Sequence, residues 1–105
     1  MAGKRIDLTA AQRAACDSWL RCYAPADFSW SEVLVHVNAV YQWHEHPSNQ
    51  GKTLLVGLTD FHGGELDLRD AGLHEVSGRM ILFNGRQMHR TLPFAGLRVT
   101  LVAFA

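Results

Sequence analysis

The chain has only two cysteines in 105 residues, and neither belongs to a CxxC pair. Cys16 and Cys22 lie in a stretch of helical pattern. A rise of ~1.5 Å per residue sets them roughly 9 Å apart, beyond the about 4.4–6.8 Å between Cα atoms that a disulfide spans. Free thiols suit a reducing compartment, and a redox or zinc role for them is the minority reading. Net charge is also absent, with ten basic residues against ten acidic. Long-range attraction to a nucleic-acid backbone or an anionic membrane is therefore weak, and small neutral or anionic ligands fit better. No apolar run has signal-peptide length, and none approaches the ~20 residues a membrane span requires, so the expected location is cytoplasmic. There is no repeat and no low-complexity segment, and with 48% hydrophobic residues the expected organisation is one domain over residues 1–105.

What is present divides into two regimes. Thr9 followed by Gln12 makes a capping box ahead of an Ala-rich stretch, predicting a helix over about 9–23 with Leu8, Ala11, Ala15, Trp19 and Tyr23 on one side. Pro25 ends it. From residue 31 onward the pattern becomes about eight short β-rich runs, SEVLVHVNAV, YQWHEH, KTLLVGLT, GELDL, LHEV, GRMILFN, RQMHRTL and LRVTLVAFA. The turns between them nearly all contain glycine. This spacing suits a mainly β sandwich or double-sheet jelly roll, cupin-like, with a β core over about 31–105 and the helix packed on one sheet. Ligands of such folds commonly sit in the mouth between the sheets.

The stretch WHEHPSNQG at residues 43–51 carries the chemistry. Residues two apart in a strand share a face, so His44 and His46 can both point inward while Glu45 points out. His89 lies on a distant run that a jelly roll brings alongside, completing a set of imidazoles suited to zinc, copper, iron or nickel. Arg98 and Thr100 form another same-face pair, returned beside His89 by the LPFAG turn. An inward guanidinium with a hydroxyl next to it is a receptor for a carboxylate.

In this order the motifs resemble those of the 2-oxoglutarate and Fe(II)-dependent oxygenases. The likeness runs from residue 31 to the end: Asn38, His44 with the following Pro, Asn and Gly, GLTDFHGGEL, FNGRQMHRTLPF and GLRVTLVAF. It implies a double-stranded β-helix, iron at His44 and His89, 2-oxoglutarate at Arg98 and Thr100, and hydroxylation of a C–H bond. The family's third ligand is an Asp, and this chain has His46 there. Three imidazoles leave the same open positions with one negative charge fewer, and they are also a catalytic zinc set. The substrate expected is a small molecule or a protein side chain, with nucleic acid disfavoured. A three-histidine cupin-type metalloprotein that does not use 2-oxoglutarate, and a non-catalytic binding module, remain open.

Taken singly, a strand histidine is usually a satisfied or half-exposed polar residue. His36, His62 and His74 are read so, with His62, Asn38 and Trp43 placed at the pocket rim. Leu66, Ile81, Phe83, Val99 and Leu101 are core by alternation, Val99 and Leu101 facing away from Arg98. Gly63 and Gly64 serve either a turn or a close approach.

Overall fold

The computed structural model describes residues 3–105. Its single helix, α1, spans Ala10–Tyr23. The Thr9 hydroxyl accepts from the Gln12 backbone N–H at 3.1 Å, and the Gln12 side chain accepts from the Thr9 N–H at 2.9 Å, so the expected capping box satisfies both donors. At the other end Ala24 turns extended, its N–H still bonded to the Leu20 carbonyl. The buried stripe differs from the expected one. Leu20 is buried, with Leu8, Cys16 and Trp19 packed beside it, whereas Ala11, Ala15 and Tyr23 are exposed. The physical reason is area: turning Leu20 inward removes more apolar surface from water than burying two alanines, and it leaves the Tyr23 hydroxyl wet.

The strands are β1 Lys4–Ile6, β2 Glu32–Val37, β3 Thr53–Gly57, β4 His62–Gly63, β5 Leu66–Leu68, β6 Gly72–His74, β7 Met80–Phe83, β8 His89–Thr91, β9 Phe94–Ala95 and β10 Val99–Phe104. All pairings are antiparallel, in sheets ordered β1-β2-β10-β3-β7, β6-β5-β8 and β4-β9. Two departures from expectation stand out. YQWHEH forms no strand and contributes only an isolated bridge from His44 to His89. Lys4–Ile6, too polar to read as a strand, pairs with the edge of β2.

Alternation sorts the five-stranded sheet. Val33, Leu54, Val56, Leu101 and Ala103 form a core with Leu20 of α1. Leu34, Leu55, Thr100 and Val102 point the other way, toward the three-stranded sheet. Between these sheets lies a second core of Leu55, Phe61, Leu66, Leu68, Val76 and Phe83. β3 is sandwiched from both sides and buried along its whole length, which is why TLLVG lacks polar alternation. Ile81 and Val99 are only half-buried. Both cysteines are free. Among the described residues no helix is long and apolar enough to cross a membrane.

α1 is tied to the chain entering β2 by polar bonds. The Trp30 indole N–H donates to Asp17 at 2.9 Å, and Arg13 pairs with Asp17 at 3.1 Å while donating to the Ser31 carbonyl at 2.9 Å. The Trp30 bond, then Arg13, holds the Asp17 carboxyl below its ordinary value. A depressed carboxyl pKa adds stability above the unfolded value of about 3.9, lost as pH falls through the folded value. Denaturant titrations at pH 7 and pH 3 are therefore expected to show Asp17→Asn less stable than wild type at pH 7, with a narrower gap at pH 3.

Candidate metal centre

The segment after β2 begins with Asn38 in the left-handed region, at φ 53°. Asparagine tolerates that conformation, and here it lets one residue grip Arg98 twice. The Asn38 N–H donates to the Arg98 carbonyl at 2.7 Å, and its side-chain oxygen accepts from the Arg98 N–H at 2.9 Å.

Further on, His44 and His89 exchange both backbone bonds, at 2.9 and 3.0 Å, while Thr91 N–H donates to the Tyr41 carbonyl at 2.8 Å. The step is two residues on β8 but three on the facing segment, so one extra residue is accommodated there as in a β-bulge. That irregularity explains why no continuous strand forms. It also leaves the Gln42 carbonyl to meet the His44 ring, with Nδ1 2.7 Å from it. His89 Nδ1 lies 2.7 Å from the Gln87 carbonyl in the same way. A carbonyl only accepts, so each neutral ring carries its proton on Nδ1 and keeps the Nε2 lone pair for a ligand.

His46 is set by the turn at 84–87, where its N–H donates to the Gly85 carbonyl at 2.9 Å. The potential ligand nitrogens of His44, His46 and His89 all lie within 4.8 Å of one another. Burial pushes His46 and His89 toward the neutral form; His44 adds to this for both, and the Gln87 carbonyl opposes it at His89. Neutral imidazole is the form that binds metal. Glu45 is exposed and lies outside the cavity.

The three histidines line a cavity of about 150 Å³ together with Arg98 and Thr100, a volume like that of engineered cavities that admit benzene. Arg98 is 4% exposed. One terminal nitrogen donates to the Gly64 carbonyl at 3.0 Å, while Nε is buried without an acceptor among the described residues. The Phe61 and Phe94 rings lie 5.3 and 5.8 Å from its Cζ. Desolvation pushes its pKa down to about 10, so it remains a cation at neutral pH. A Cβ on Gly64, at φ +66°, would stand 2.8 Å from Nε. That glycine serves a close approach as well as a turn, and the same holds for Gly63, whose Cβ would stand 2.5 Å from the Pro93 carbonyl.

The residues expected at the rim are elsewhere. Asn38 braces the Arg98 backbone and does not line the cavity. Trp43 is 40% exposed with the Arg90 guanidinium 4.5 Å over its ring, and Arg90 is in turn paired with Asp67. His62 is exposed on β4 opposite Ala95. The bulge and the short β4–β9 ladder redirect side chains in ways a period of two does not foresee. His36 lines the cavity, contrary to its reading as an ordinary strand histidine; its shared parity with Leu34 was the available signal. Tyr41, Asn49 and Thr91 line the cavity too.

The architecture and the histidine cluster define a class: a small mainly β protein with a three-histidine group between two sheets. Its structural neighbours include two prolyl hydroxylases. The viral collagen prolyl hydroxylase of Paramecium Bursaria Chlorella virus-1, determined as a 2OG complex, superposes with a TM-score of 0.63 at 15% identity, covering 97% of this chain and 78% of that one. A Pseudomonas putida prolyl-4-hydroxylase gives 0.55 at 20% identity over 97% and 66% of the two chains. A protein from Neisseria meningitidis gives 0.52 at 17% identity over 95% and 100%. No protein-family model matches the sequence, and no curated protein matches it significantly. At these identities the likeness is one of fold.

The 84–87 turn offers a direct test. A Cβ on Gly85 would stand 2.5 Å from the Thr53 hydroxyl and 3.0 Å from the Asn49 amide nitrogen, both on buried residues. Gly85→Ala is expected to cost about 1–3 kcal/mol in denaturant unfolding and to weaken zinc binding measured by calorimetry, because the same turn positions His46.

Proposed function

We propose that this protein is a minimal 2-oxoglutarate and Fe(II)-dependent oxygenase. The two larger sheets would form a double-stranded β-helix in one domain, β2, β10, β3 and β7 facing the 41–46 segment, β8, β5 and β6. His44, His46 and His89 would hold the metal, and Arg98 with Thr100 the far carboxylate of 2-oxoglutarate. The observation that carries this reading is the Arg98 Nε, buried with no acceptor among the described residues, in the same cavity as the histidine cluster. A buried cation with an unmet donor is costly, and a carboxylate supplies both the charge and the acceptor.

When bound, iron with 2-oxoglutarate supplies the power to activate dioxygen and oxidise a C–H bond. The chain's part is orientation and exclusion of water. The Gln42 and Gln87 carbonyls keep two lone pairs aimed inward, Gly64 holds the guanidinium in place, and Leu55, Leu66, Phe83 and Val102 keep the walls apolar. The substrate is a small molecule or an exposed protein side chain, and the setting cytoplasmic. His46 in place of a carboxylate favours a second reading, a three-histidine zinc protein that does not use 2-oxoglutarate.

Anaerobic titration of metal-stripped protein with Fe(II) and then 2-oxoglutarate separates them. The oxygenase predicts a visible metal-to-ligand charge-transfer band that requires both components, with 2-oxoglutarate affinity falling about tenfold or more in Arg98→Ala, which lacks the charged hydrogen bonds. Tight zinc with no response to 2-oxoglutarate would establish the alternative. In the oxygenase, His46→Asp restores a carboxylate to the donor set and is expected to raise substrate-free turnover of 2-oxoglutarate.

A further inference from the structure

His36 is the cavity histidine outside the metal cluster. It is 8% exposed, and its ring makes no hydrogen bond among the described residues. In the β2–β10 register it stands directly opposite Thr100. Facing residues of an antiparallel pair share a face with Cβ atoms about 4.5–5.5 Å apart, and both line the cavity. Thr100 is 2% exposed, and its hydroxyl likewise has no hydrogen bond among the described residues. Arg98, two residues earlier, brings its acceptor-less Nε. Three polar side chains thus converge at one end of a mostly apolar cavity, each with bonding capacity that the protein leaves unused.

Unlike Arg98 Nε, the unbonded ring nitrogens of His36 are not fully buried, so they open onto cavity space that a ligand can fill. Burial, then Arg5 and Arg98, lower the His36 pKa, so at pH 7 the ring is neutral and offers one N–H. The Tyr41 ring packs edge-on at 5.4 Å and limits how the imidazole can turn.

We propose that His36 is a third binding residue for the carboxylate received by Arg98 and Thr100, donating its N–H to that group. The inference rests on the reading that this end of the cavity takes an anion. It does not depend on which metal the other end holds.

The test uses the full chain, metal-free, with glutarate as the probe and binding followed by calorimetry and thermal shift. His36→Leu is expected to weaken glutarate binding about tenfold or more, as for loss of a hydrogen bond to a charged group, while His36→Gln, which keeps an N–H donor, retains most of the affinity. Zinc binding is expected to match wild type in both variants, a result that general collapse of the cavity would not leave. Unchanged glutarate affinity in His36→Leu, or parallel loss of glutarate and zinc, would overturn the assignment. Wild type that binds glutarate but neither zinc nor iron would retain His36 and remove the oxygenase reading. Wild type that does not bind glutarate would remove both.

Discussion

A buried guanidinium sets the terms for much of this structure. Arg98 sits at 4% exposure against two phenylalanine rings, with one of its side-chain nitrogens hydrogen-bonded among the described residues. Desolvating a cation is expensive, and several neighbouring features are what allow it. Asn38 adopts a left-handed conformation to hold the Arg98 backbone by two bonds. Gly64 presents its carbonyl and no side chain, because a Cβ there would press on Nε. Such strain and close approach persist where the surroundings over-determine them, and they concentrate at functional sites.

The histidine cluster is held by different means. His44 and His89 are joined by a reciprocal pair of backbone bonds, and each ring is oriented by the carbonyl two residues before it. These local bonds select the tautomer without calling on a distant partner. His46 depends instead on the 84–87 turn, which reaches it through the Gly85 carbonyl. The two polar groups of the cavity therefore rest on separate supports, the histidine cluster on β8 and its adjoining turn, Arg98 and Thr100 on β10 and the Asn38 latch.

Part of the site was legible because period-two parity is a local rule, and Arg98 and Thr100 share a face as parity requires. His44 and His46 meet as expected although their segment forms no strand, and no hairpin joins β8 to β10, which lie in different sheets, so that His89 and Arg98 line the cavity from separate sheets. The rim was not legible. Trp43 and His62 depend on a bulge and on a two-residue ladder whose partner lies 33 residues away in sequence, His62 opposite Ala95. His36 was passed over because a lone strand histidine is ordinarily structural, and only its neighbours across the sheet argue otherwise.

The amino-acid sequence by itself determined the helix and its capping box, the change to short strands after Pro25, and the residue types able to bind a metal and a carboxylate. These follow from bonding and periodicity within a few residues. Only the tertiary structure decided which helix face is buried, where the 41–46 segment departs from strand geometry, and that His36 joins Arg98 and Thr100 in one cavity. Those outcomes depend on the match between surfaces distant in the chain, which no local pattern encodes.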